Sequence, residues 1–206
     1  MEHIERKKHW ETIYQTKALS EVSWYQPTPV TSLDFFQQLE IPLTAKIIDI
    51  GGGDSFLVDH LLELGYRNVS VLDISETAIE RAKQRLGERA KDVKWIVSDV
   101  ADFQPEITYD CWHDRAAFHF LTKDAEVEKY IQTASTAITP DGVMIIGSFS
   151  EQGPKKCSGI DIRQYSETTM TRLFSSYFQK ITCITTDHST PFNTTQNFVF
   201  CSFQKR

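Results

Sequence analysis

The chain has 206 residues, enough for one full-sized domain with a substantial core and short for two. Apolar residues make up 40% and charged residues 24%, ordinary globular usage with no low-complexity bias, which excludes a disordered or fibrous chain. The formal net charge of -6 gives no broad attraction to nucleic acid or anionic lipid, so neither partner is expected.

No apolar run approaches the roughly 18 residues of a membrane span, and MEHIERKKHW has no signal-peptide core. The expectation is a cytoplasmic protein, a monomer or homodimer. In chain order, helices are expected at about 4 to 17 and 30 to 39, on either side of the aromatic and proline-rich SEVSWYQPTP. Short β-branched runs then alternate with helical-period stretches, the signature of an α/β domain with a mainly parallel sheet. The strand candidates are Lys46 to Ile50, Val69 to Asp73, Val93 to Ser98, Tyr109 to His113 and Val143 to Ser148.

Between them, Leu57, Leu61 and Leu64 recur at helical spacing, as do Ile74, Ala78, Ile79, Ala82 and Leu86 behind a capping Ser75. A third stripe runs through Val127, Tyr130, Ile131, Ala134 and Ile138 until Pro140-Asp141-Gly142 turns the chain. A polar loop from Glu151 to Gly159 precedes a helix through Met170, Leu173, Phe174 and Tyr177. Runs 179 to 186 and 196 to 203 then pair as an antiparallel hairpin. Cys111, Cys157, Cys183 and Cys201 are scattered without ligand spacing, so no metal site is expected and reduced, mostly buried thiols are.

The first strand runs into IIDIGGGDSF, residues 47 to 56. A strand, three glycines and a helix aim backbone N–H groups at a ligand on the carboxyl edge of the sheet. Gly51 and Gly53 fit the first two glycines of a dinucleotide fingerprint, but position 56 is Phe. Asp49 and Asp54 flank the glycines. At 4 Å two like charges repel by roughly 4 kcal/mol at an effective dielectric near 20, so a pyrophosphate is disfavoured and a cationic group is not. Asp73 ends the second strand where an acid accepts from ribose hydroxyls, and Asp99 ends the third within reach of an adenine amino group.

A nucleoside with a cationic tail describes S-adenosylmethionine. IIDIGGGDS, VLDIS, VSDV, YDCWHD and ITPDGVMIIGSF, in that order, resemble the class I S-adenosylmethionine-dependent methyltransferases over about residues 45 to 150. The resemblance implies a Rossmann-like, doubly wound seven-stranded sheet, mostly parallel with an antiparallel last strand and helices on both faces. It implies one domain over 1 to 206: N-terminal helices as a lid to residue 40, a cofactor core over 45 to 150, and a substrate-side loop, helix and hairpin over 151 to 206. It also puts Asp49, Gly51 and Gly53 around the methionine part, Asp73 and Ile74 at the ribose, and Asp99 and Val100 at the adenine. Any one of these aspartates can equally cap a helix.

The fourth strand runs into DCWHDRAAFHFLT, which in this family faces the transferred methyl. His113, Asp114, Arg115 and His119 are the catalytic candidates. His113 can serve as a base near neutral pH, and Arg115 can bind an acidic substrate or a thiolate. Alternatively Asp114 and Arg115 form an ion pair and His119 packs between Phe118 and Phe120. The Trp-His-Asp-Arg run is loosely similar to thiopurine-type thiol methyltransferases. HWETIY and EVSWYQ resemble the lysine methyltransferases of citrate synthase and elongation factor 1A.

Both comparisons place Trp10, Tyr14, Trp24 and Tyr25 over the methionine end, where aromatic faces attract cations; the same rings can instead anchor the first helix. Lys155, Lys156, Cys157 and Arg163 are expected to make a basic rim or a solvated loop, and His188 to approach the pocket. The expected reaction is methyl transfer to a small molecule, possible thiols included, or to a protein lysine. A nicotinamide-dependent oxidoreductase and a non-catalytic S-adenosylmethionine-binding protein are the alternatives.

Overall fold

The computed structural model describes residues 3–206; Met1 and Glu2 of the expected N-terminal segment lie outside them. Helices α1 (His3–Thr16) and α2 (Val30–Gln38) precede the first strand, β1 (Lys46–Ile50). Then follow α3 (Leu57–Leu64), β2 (Asn68–Asp73), α4 (Glu76–Leu86), β3 (Val93–Val97), β4 (Tyr109–Arg115), α5 (Asp124–Ala137) and β5 (Ile138–Phe149). A two-residue pair, β6 (Lys156–Cys157) and β7 (Ile160–Asp161), leads to α6 (Glu167–Phe174), β8 (Phe178–Ser189) and β9 (Thr195–Lys205).

The seven long strands form one sheet in the order β3-β2-β1-β4-β5-β9-β8. The pairs among β1 to β5 are parallel, and β9 is antiparallel to both β5 and β8. Alternate side chains of the central strands face opposite layers. Ile48, Ile50 and Trp112 pack with Val127 and Tyr130 of α5 and Met170 and Phe174 of α6. Ile47, Val71 and Cys111 pack with Phe35 and Phe36 of α2 and Leu57 and Leu61 of α3. Helices therefore cover both faces, and parallel β1, β2, β3 and β4 end along one edge.

Helix ends carry the signals that stop or start them. The Ser75 hydroxyl accepts the Ala78 amide at 3.1 Å and opens α4. Gly65, at φ +102°, closes α3 in the left-handed region.

Four local expectations are corrected. Leu64 is exposed at 56% and lies off the buried stripe of α3. Tyr177 lies beyond α6 and is also exposed. Pro140-Asp141-Gly142 does not separate helix from strand but sits inside β5 as an irregularity: the step from Tyr109 to Cys111 on β4 faces the step from Ile138 to Val143. Asp141 takes φ +62° there, and the pairing absorbs the turn as extra residues on one strand.

The fourth correction concerns the cysteines. Cys183 and Cys201 occupy directly opposite positions on β8 and β9 and are joined as a disulfide. The hairpin was expected; the register that sets Cys183 opposite Cys201, and its consequence for the thiols, was not. Cys111 and Cys157 are free and buried.

Candidate active site

Chain reversals after β1, β2, β3 and β4 leave a cleft of about 990 Å³, open mouth included, along the carboxyl edge of the sheet. Its floor is the glycine loop. Gly51 has φ +65°, and a Cβ there would lie 2.6 Å from the Ala117 Cβ. A Cβ on Gly53 would lie 2.5 Å from the Asp73 carboxylate. These glycines let the loop approach both β4 and the acid at the end of β2, which no side chain would permit.

Asp49, Asp73 and Asp99 all line the cleft. Asp73 accepts the Ser75 amide at 2.8 Å. Burial, reinforced by the charges of Asp49 and Glu11, pushes its pKa up to about 7. A carboxylate so placed gains from ligand hydroxyls that donate to it and from a nearby cation. Asp99 accepts the Ala101 amide at 2.9 Å and the guanidinium of Arg6, which reaches both carboxylate oxygens and Glu126. Arg6 is 7% exposed and comes from α1, so the first helix is tied across the adenine end expected from the sequence.

Asp54 does not act as the sequence argument supposed. Its carboxylate is paired with Arg81 at 3.0 Å and with Arg85, which also holds Asp59. That charge is compensated before any ligand arrives, so Asp49 and Asp73 alone carry the electrostatic case against a pyrophosphate.

His113 is held at both ring nitrogens. Nδ1 lies 2.7 Å from Asp49, and Nε2 lies 2.9 Å from the Ser32 hydroxyl. At 1% exposure both of its ring nitrogens are engaged within the protein. The ring is held between the Asp49 carboxylate and the Ser32 hydroxyl, so it fixes Asp49 and joins α2 to the sheet.

Asp114 and His119 are likewise turned away from the cleft. Asp114 accepts the amides of Ala117 and Phe118 and the Tyr130 hydroxyl at 2.8 Å. Burial still raises its pKa to about 6. It shapes the turn after β4, and among the described residues it does not pair with Arg115. His119 stacks on Phe149 at 4.7 Å and against Phe120, and its Nδ1 accepts the Phe149 amide. Burial pushes its pKa down to about 3, leaving a neutral ring in the packing.

Arg115 differs. It lines the cleft, and its guanidinium donates to Gln26 of the segment between α1 and α2. Burial lowers its pKa, opposed by the Asp49 charge.

Trp10, Tyr14 and Trp24 also line the cleft. Trp10 meets Trp24 at 5.7 Å and Phe120 at 4.9 Å, so these rings both face the cleft and anchor α1. Ile74, Val100 and Gly51 lie in the lining; Gly53 and Tyr25 do not. Gly53 instead gives room to Asp73, and Tyr25 packs against Phe56 at 6.1 Å.

The basic rim is dispersed. Lys156 pairs with Asp161 and Arg163 with Asp124. Cys157 is buried in the lining, with burial pushing its thiol up to about 11. His188 donates to the Ser23 carbonyl at 2.7 Å, beside the cleft wall rather than in it.

Sequence reasoning missed Arg6, Phe149, Gln196 and Phe198, which also line the cleft. Phe149, Gln196 and Phe198 belong to strand ends whose adjacency follows only from the sheet order. Arg6 was visible as a charge but not as a partner of Asp99. Among the described residues no cluster of His, Cys, Asp and Glu is arranged to hold a metal.

A glycine loop with acids at the ends of β1 and β2 and just after β3, on a sheet of this order, defines the class I methyltransferase fold. A family model described as a methyltransferase domain matches residues 47–142. The structure is similar to one solved for conversion of a disulfide into a thioacetal during echinomycin biosynthesis (TM-score 0.78, 18% identity, 97% of this chain and 92% of that one). It is also similar to the N-methyltransferase NodS of Bradyrhizobium japonicum WM9 bound to S-adenosyl-L-homocysteine (0.71, 17%, 95% and 97%).

Among curated proteins, mouse eEF1A lysine and N-terminal methyltransferase is 27% identical over 121 residues, 57% of this chain and 17% of that protein. Human EEF1A lysine methyltransferase 2 is 22% identical over 157 residues, 69% and 66%. The chain thus spans less than a fifth of the first relative's length. The fold is that of the class I methyltransferases, and the methyltransferase-domain model covers a little less than half of the chain.

Proposed function

We propose that the chain transfers the methyl group of S-adenosylmethionine to a small-molecule acceptor. The observation that carries the choice of acceptor is the charge of the cleft beyond the glycine loop. There the lining is Arg115 with the rings of Trp24, Phe120, Phe149 and Phe198, while the acids, Asp49, Asp73 and Asp99, belong to the strand ends on the cofactor side. A lysine ammonium at 4 Å from Arg115 would meet repulsion of roughly 4 kcal/mol at an effective dielectric near 20. A neutral or anionic acceptor would not.

In this reading Asp73, with Ile74, receives the ribose hydroxyls, and Asp99, with Val100, receives the adenine amino group. Asp49, fixed by His113, and Gly51 face the methionine end. When bound, the cofactor supplies a methyl on a sulfonium, open to direct displacement. The chain's part is alignment and exclusion of water: the glycine loop sets the approach, and Trp10, Trp24 and Phe120 close the side. With both nitrogens of His113 engaged and His119 buried, no side-chain base is assigned, which suits an acceptor that arrives deprotonated.

The domain organisation follows: one methyltransferase domain, with α1, α2 and the segment between them as cover. No helix among the described residues is long and apolar enough to cross a membrane, and we place the protein in the cytoplasm. The free thiols of Cys111 and Cys157 suit that compartment; the Cys183–Cys201 bridge does not.

The relatives named for elongation factor lysines favour a second reading, a protein acceptor. Incubation with radiolabelled cofactor separates the two. Label in extractable thiols, amines or acids supports the small-molecule reading, and label confined to a protein band rejects it. Absence of any binding of S-adenosyl-L-homocysteine in calorimetry would reject the cofactor assignment itself.

A further inference from the structure

The two edges of the sheet are not alike. β3 has five residues, and its Lys94 is paired with Glu106. β8 has 12, and from Ile181 to Thr186 it reads ITCITT, without charge or proline. It stands last in the strand order, so one side of its backbone has no strand partner among the described residues. Such an edge is a template for another strand unless something covers it. The Cys183–Cys201 bridge fastens the inner side to β9 and leaves the outer side open.

Exposed apolar side chains gather along the same edge. Ile181 and Ile184 lie on the strand, Tyr177 just before it and Phe192 in the turn after it, and all four are exposed. That turn is held in place, since the Thr190 hydroxyl accepts the amides of Phe192 and Thr194. Large apolar groups along an open edge mark an interaction surface.

The register shows what fits it. Lys180, Ile184 and Asp187 lie opposite Phe203, Phe200 and Asn197 of β9. Ile181 is the extra residue of a bulge, because Lys180 and Thr182 on either side of it face the adjacent Phe203 and Ser202. Counted along β9, the lysine and the aspartate therefore stand three places either side of Ile184, both on the face opposite to its side chain. Neither charge is committed to a buried contact: Lys180 pairs with Glu167 and Asp187 with Asn197, both at the exposed surface.

The strand is thus complementary to itself about Ile184. A twofold axis through that residue, perpendicular to the sheet, sets a second β8 antiparallel to the first. Lys180 of each copy then faces Asp187 of the other, Thr182 faces Thr186, and Ile184 faces Ile184, each pair on one face as an antiparallel ladder requires.

We propose that the outer edge of β8 is a dimer interface whose occupant is a second copy of this chain, the two sheets joined edge to edge in this register. The contact is isologous and uses the long edge of both copies, so association closes at two. Because the strands run antiparallel across the axis, the two clefts open at opposite ends of the joined sheet. The inference is independent of which cofactor and acceptor the cleft takes.

Sedimentation velocity of the full chain over a dilution series tests it. The parent is expected to be a dimer at about 50 µM and to dissociate on dilution, as a small interface does. Ile184→Lys puts two like charges on the axis and should leave a monomer. Lys180→Asp and Asp187→Lys each set like charges opposite one another and should raise the dissociation constant by about fivefold or more. Combining those two substitutions restores opposite charges and should bring the constant back to within about twofold of the parent's. Recovery in the double variant cannot come from misfolding, and near-ultraviolet circular dichroism like the parent's shows that Ile184→Lys is folded. A parent that stays monomeric throughout overturns the proposal. So does a dimer that survives Ile184→Lys, and single-variant losses without recovery in the double variant overturn the register.

Discussion

Asp73 is the residue whose chemistry can be read most directly in solution. Its pKa is pushed up to about 7 by burial first and by Asp49 and Glu11 second, with the Ser75 amide pulling the other way. An acid whose folded pKa lies above its unfolded value is destabilising when charged, so this cost is absent at low pH and grows as pH rises from about 4 to about 7. Ribose hydroxyls donating to the carboxylate favour the charged form, and binding has the opposite slope. Affinity for 5′-methylthioadenosine should therefore increase by up to about tenfold per unit between about pH 5.5 and 7, then level off. Calorimetry across that range checks it, and Asp73→Asn should bind more weakly with a flat profile. A slope that survives in Asp73→Asn would place the titrating group elsewhere. At this scale it was legible that Asp49, Asp73 and Asp99 would line one cleft, because each falls at the carboxyl end of a parallel strand. The hold on His113 was not, because its partner Ser32 comes from a helix 81 positions away, and local sequence cannot say that both its nitrogens are taken.

Among the elements, α1 carries most of what the chain pattern left open. It is tied at three points: Arg6 to Asp99 and Glu126, Glu11 to the amides of Glu76 and Thr77 at the start of α4, and Arg81 to the carbonyls of Tyr14 and Lys17. Trp10 fills the space between. The helix was expected from its sequence, but its docking was not, since each tie pairs residues far apart in the chain. The strands and helices of the core were legible because a buried parallel sheet demands β-branched runs and its helices a 3.6-residue stripe. Arg6→Met leaves Asp99 and Glu126 without their shared cation and should cost about 3 kcal/mol, as when one partner of a buried pair is removed. Urea unfolding measures this. The same variant should release S-adenosyl-L-homocysteine faster in stopped-flow if Asp99 receives the adenine as proposed, because that contact holds α1 over Asp99. A variant as stable as the parent would show that α1 is held by Trp10, Glu11 and Arg81 without the Arg6 tie.

For the whole molecule, the decisive asymmetry lies between the two edges of the sheet. At the β3 edge Val97 is exposed, yet the strand is short, and Lys94 is its second residue. At the other edge β8 runs for 12 residues with Ile181 and Ile184 exposed, the kind of strand that pairs with other chains unless held. The disulfide Cys183–Cys201 fastens this strand to β9, which is itself bonded to β5. The bridge spans 18 positions in sequence, and closing a loop of this size in the unfolded chain is worth about 3 kcal/mol in the chain-entropy account. For a domain of this size each kcal/mol moves Tm by about 2–4 °C. Reduction should therefore lower Tm by about 6–12 °C, and Cys183→Ser with Cys201→Ser should show the lower value with or without reductant. Cofactor affinity should be little changed, because the bridge lies two strands from β4 in the sheet. Differential scanning calorimetry with and without reductant checks the first, and titration calorimetry the second. If Tm is indifferent to reductant in the parent chain, the hairpin is held by its ladder alone; if cofactor affinity falls with the bridge, the β8 edge and the cleft are coupled through His188 and Gln196.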